Sequence, residues 1–65
     1  MTENELKYFI QEQATDGNFF NSVGLPNGTT RSDAIRRAQD WQDVFKTRKI
    51  RLAAVTTIPV YDCKQ

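Results

Sequence analysis

Apolar and polar residues alternate along two short runs, one leading up to Asp16-Gly17 and the other leading away from it. A period of two marks a strand with one buried face, and Asp-Gly between two such runs signals a hairpin because the pair tolerates the positive φ values of a type I′ turn. With Asp16 and Gly17 as the two loop residues, Ala14 pairs with Phe19, Glu12 with Asn21, Ile10 with Val23 and Tyr8 with Leu25. Tyr8, Ile10, Ala14, Phe19, Val23 and Leu25 then share the core face, and Phe9 and Phe20 point the other way.

The period changes after Leu25-Pro26-Asn27-Gly28, a turn signature. Thr30 with Asp33 three residues on resembles a capping box, and Ser32 is the competing N-cap. Beyond it Ala34, Ala38, Trp41 and Phe45 recur at spacings of four, three and four, flanked by Ile35 and Val44, which predicts an amphipathic helix with one stripe against a sheet. Asp33 with Arg37, and Arg36 with Asp40, are expected as i, i+4 pairs on its polar side. A last strand is expected from about Lys49 to Ile58, with Ile50, Leu52, Ala54, Thr56 and Ile58 facing the core and Arg51, Ala53, Val55 and Thr57 facing away. Pro59 cannot continue a central ladder, which leaves Val60 and Tyr61 as a tail that returns along an edge or reaches a second subunit.

The order strand, strand, helix, strand predicts an α+β fold: a single ββαβ domain over residues 1–65, with one helix packed on a three-stranded sheet. A right-handed crossover places the third strand beside the first, in spatial order 2-1-3. A domain of 65 residues buries little of its chain, so help from association is expected. One cysteine and no histidine exclude an intramolecular disulfide, a Cys/His zinc site and a histidine base. Cys63 reads as a free thiol. With no signal-peptide pattern and no long apolar run, a cytoplasmic protein with no membrane segment is expected.

The net charge of +1 is unevenly spread, because residues 1–30 hold four carboxylates against one lysine and residues 31–65 hold eight basic groups against four acidic ones. Lys46, Arg48, Lys49 and Arg51 concentrate the positive charge where helix passes into strand, a place that a helix C-terminus itself favours for cations.

Taken together, Lys7-Tyr8-Phe9-Ile10, Asp16-Gly17, the run Ser32 to Ala38 and Ile50-Arg51-Leu52 give a chain that resembles small accessory proteins of bacteriophages and prophages. The resemblance implies a host-interaction or counter-defence protein that acts by binding a host or phage protein, and it assigns no functional residue.

Motifs that carry chemistry are scarce. Gly17, Gly24 and Gly28 stand singly rather than in a phosphate-binding loop, and the pairs Glu3 with Glu5 and Asp40 with Asp43 read as solvated surface. Ser22, Thr30 and Ser32 have no histidine to activate them, so no catalytic residue, cofactor or metal is expected. Two classes of function compete. A protein-binding module, as a homodimer or with another partner, would use Phe9, Phe20, Ala53, Val55 and Tyr61 on the sheet face away from the helix. A nucleic-acid binder would stack bases on Phe9, Phe20 and Tyr61 and meet phosphates with Lys46, Arg48, Lys49 and Arg51, against which the near-neutral charge weighs.

Overall fold

The computed structural model describes residues 7–55 and 58–64. Glu3, Glu5, Thr56 and Thr57, which the sequence reading assigned, lie outside the described residues. The elements run β1 (Tyr8–Gln13), β2 (Phe19–Gly24), α1 (Arg31–Val44), β3 (Ile50–Ala54) and β4 (Ile58–Asp62). The architecture is α+β as expected, but the sheet has four strands rather than three, in the order β2-β1-β3-β4 with every neighbouring pair antiparallel. The expected 2-1-3 arrangement survives inside it, and β4, which runs through Pro59, is the added edge strand. Pro59 sits opposite Ala53 on this outermost strand, where the other edge has no ladder for a missing N–H to break.

The run expected as one strand to Ile58 ends instead at Ala54, because Val55 takes a left-handed φ of 46° and leaves the pleat. Its N–H still bonds the Lys7 carbonyl at 3.0 Å, so the end of β3 stays tied to β1. A β-branched residue at positive φ is strained, and the turn between β3 and β4 carries that strain.

The hairpin closes differently from the two-residue turn expected. The Gly17 N–H donates to the Ala14 carbonyl at 3.0 Å and the Ala14 N–H to the Asn18 carbonyl at 2.7 Å, so Thr15, Asp16 and Gly17 form a three-residue loop. Gly17 takes the left-handed position at φ 92°, and the Asp16 carboxylate accepts the Asn18 N–H at 2.9 Å. The extra loop residue shifts the register by one: Gln13 pairs with Phe19, Glu12 with Phe20 and Gln11 with Asn21. Ser22 is then left without a partner, and Ile10 with Val23 and Phe9 with Gly24 return to the expected pairing. Residues directly opposite on an antiparallel pair share a face, so the shift turns Phe19 to the helix-free face and Phe20 to the helix side.

Thr30 is the N-cap of α1, its hydroxyl accepting the Asp33 N–H at 3.2 Å. On the exposed side Asp33 pairs with Arg36 at 3.6 Å, one residue short of the Arg37 expected. The helix packs chiefly on β3 and less on β1. Tyr8, Ile10, Leu25, Ala34, Ala38, Ile50, Leu52 and Ala54 make the core between the layers, and Val23, Ile35, Trp41, Phe45, Val60, Tyr61 and Cys63 pack against it. Of the expected core, Ala14 closes the hairpin loop outside it, Phe19 lies outside through the register shift, and Ile58 is exposed at the start of β4.

Candidate functional site

The five residues expected as one interface are not brought together. Phe9 and Ala53 lie on the helix-free face as expected, but Ala53 is fully buried and Phe9 lies over Gly24, where an added Cβ would meet the ring at 3.4 Å. Phe20 is on the opposite side of the sheet, Val55 is in the turn, and Tyr61 packs in β4 against the chain's own core. The helix-free face is dressed by polar side chains instead. The Arg51 guanidinium lies 3.9 Å from the Phe19 ring centroid, its Nε donates to Gln11 Oε1 at 2.9 Å, and Gln11 Nε2 donates to Asn21 Oδ1 at 2.9 Å. The Lys7 ammonium stands 5.7 Å from the Phe9 centroid.

The four cations at the helix-to-strand junction likewise do not form one patch. Among the described residues α1 has no basic residue in its last turn, so these side chains follow the helix rather than cap it. The capping role belongs to Gln42, one turn earlier and 1% exposed. Gln42 Nε2 donates to the carbonyls of Phe45 (3.0 Å) and Arg48 (2.6 Å), and its Oε1 accepts the Ile50 N–H at 3.0 Å. One side chain thus closes the helix, shapes the following loop and starts β3. Ala34, Ala38 and Gln42 follow one another at spacings of four, and that continuation of the alanine stripe is the signal that marks Gln42 as buried.

Arg48 is directed to the helix side. Its Nη1 donates to Glu12 Oε1 at 3.0 Å, and the guanidinium lies 4.6 Å from the Phe45 centroid. Glu12 occupies the position after Tyr8 and Ile10 in the alternation and is buried, with the Ser22 hydroxyl donating to its second oxygen. The residue freed by the register shift therefore supplies the partner that a buried carboxylate needs. The Ser22 hydrogen bond holds the Glu12 carboxyl below the ordinary glutamate range. Burial opposes it, and the hydrogen bond and charge of Arg48 and, least, the Trp41 indole reinforce it. The Trp41 Nε1 is itself buried without a hydrogen bond of normal geometry.

Because α1 leans toward β3, the helix side of β2 stays largely uncovered. An open groove of about 320 Å³ runs there, with Ile10, Val23 and Leu25 as floor and Arg37, Asp40, Trp41 and Val44 on its helix wall. Val44 at the end of α1 is 73% exposed and Phe20 on β2 is 50% exposed, on the same side of the sheet as the groove. Arg37 and Asp40 place one charge of each sign at its mouth. Trp41, expected on the helix stripe that faces the sheet, is a half-buried wall residue of this groove, its ring 5.1 Å from that of Phe45 and tilted 46° to it.

Among the described residues no helix is long and apolar enough to cross a membrane. Comparison of the chain with protein-family models, with curated proteins and with solved structures finds no match.

Proposed function

We propose that the chain is a non-enzymatic protein-binding module that associates with a second copy of itself through the groove between α1 and β2. The observation that carries this reading is that exposed apolar side chains and an apolar hollow, Val44 on the wall of the groove over Val23 and Leu25 and Phe20 further along β2, lie on the same side of the sheet. A two-fold axis through the groove lets these side chains of each copy enter the hollow of the other, and it sets Arg37 of one copy against Asp40 of the second.

The chemistry of the two reactive side chains supports a binding role. Ser22 is hydrogen-bonded to a carboxylate whose pKa is depressed, which makes Glu12 a weak base. The Cys63 thiol is pushed up to about 11 by burial and by the charges of Asp62 and Asp43, so it is not a thiolate at neutral pH.

Amide chemical shifts followed through a dilution series test the surface. Concentration-dependent shifts gathered on Phe20–Leu25 and Arg37–Val44 support it, whereas shifts confined to Phe9, Arg51 and Ala53 assign association to the other face. Invariant shifts, with the same groove responding only to an added host protein, replace self-association by the foreign partner that the phage resemblance implies.

A further inference from the structure

The helix-free face is left unused by that reading, and its chemistry is different. We propose that it binds single-stranded nucleic acid, with Arg51 as the phosphate contact and Phe9 and Phe19 as stacking supports. Arg51 is held in place before any ligand arrives, by the Gln11 bond to Nε and by the ring of Phe19 beneath it. Its two Nη nitrogens make no hydrogen bond among the described residues, so the forked end of the guanidinium is available to a pair of phosphate oxygens. The outer plane of a guanidinium stacked in this way also accepts a base.

Two more cations flank Arg51. Lys7 stands over Phe9, and Lys49 lies across from Gln13, whose N–H bonds the Lys49 carbonyl at 2.9 Å. Against these three the face carries one described carboxylate, Asp62, cross-strand from Arg51. Glu12 is on the helix side, Asp16 is in the hairpin loop bonded to the Asn18 N–H, and Asp33, Asp40 and Asp43 are on α1, so five of the six described carboxylates lie off this face. Charge complementarity among the described residues therefore favours an anionic partner here, and partly exposed rings beside the amides of Gln13 and Asn21 favour one with accessible bases. A duplex keeps its bases stacked inside and presents only its backbone. This surface differs from the junction cations as a set, because Arg48 is committed to Glu12 on the other side.

Fluorescence anisotropy with labelled mixed-sequence 12-nucleotide RNA and DNA single strands, and with the matching duplex, tests the assignment. Three phosphate contacts predict single-strand binding at 50 mM salt that weakens about 20-fold at 200 mM. Arg51→Lys, which keeps the charge and loses the fork, should weaken it about fivefold or more. Lys7→Gln with Lys49→Gln, two exposed substitutions that leave the core untouched, should flatten the salt dependence, while Lys46→Gln should leave binding unchanged. No single-strand binding at 50 mM salt would overturn the proposal. So would duplex bound as tightly as single strand, or Lys46→Gln costing as much as Lys49→Gln. The dilution shifts of the α1–β2 groove are read separately, so either assignment can fail without the other.

Discussion

Gln42 and Ile50, eight residues apart, are joined by a buried hydrogen bond in which the glutamine Oε1 accepts the Ile50 N–H at 3.0 Å. The same side chain donates to two carbonyls of the intervening loop, so it couples the end of α1 to the beginning of the central strand β3. Replacing Gln42 by methionine keeps the volume and removes all three bonds, leaving a buried N–H without a partner. The expected cost is about 2 to 4 kcal/mol, a large share of what a domain of this size has. Urea denaturation measures it, and a loss under about 0.5 kcal/mol would show that the loop finds other partners.

Val55 offers the opposite kind of change. Its φ of 46° suits asparagine or glycine and opposes valine, and its side chain is exposed. Val55→Asn should therefore raise stability by about 1 kcal/mol, and Val55→Gly by less because glycine also loosens the unfolded chain. A higher urea midpoint at unchanged slope is the expected result. A lower midpoint for the asparagine variant would contradict the left-handed assignment.

Glu12 sets a pH dependence with a definite sign. Its carboxyl is held below its ordinary value in the folded chain, foremost by Ser22 and then by Arg48, so its charged form is favoured by folding. The stability it contributes is fully present above the unfolded pKa and is lost as pH falls through the lower folded value. Unfolding free energies between pH 7 and pH 3 should fall more steeply for the wild-type chain than for Glu12→Gln, which has no proton to take up. Equal slopes would mean that Glu12 is not the titrating group.

The fold was legible wherever a residue type answers a local demand. Asp16-Gly17 marked the hairpin, Thr30 the cap, and the Ala34-Ala38 stripe the packed side of the helix. What the alternation could not convey was whether Asp16 shares the left-handed backbone of Gly17 or leaves it to glycine alone. That choice adds one loop residue, and one residue is enough to exchange the faces of Phe19 and Phe20. Ser22, which absorbs the slip, carries no mark of a bulge in its type. The fourth strand was hidden for a related reason: Val55 turns the chain with no glycine or asparagine to announce it, and Pro59 reads as a stop although an edge strand accepts it. Of the interface residues, Phe20 failed with the register, Val55 with the turn and Tyr61 with the fourth strand, and the groove was invisible because it arises from where α1 leans, a property of packing rather than of spacing.

Sedimentation equilibrium at micromolar concentration tests the central claim most directly, comparing the wild-type chain with Phe20→Ser combined with Val44→Asp, two exposed substitutions on the groove side of the sheet. The account predicts a dimer of the 7.5 kDa chain that the double substitution converts to monomer while its circular dichroism is unchanged. A wild-type chain that sediments as a single 7.5 kDa species, or a dimer indifferent to both substitutions, would contradict it.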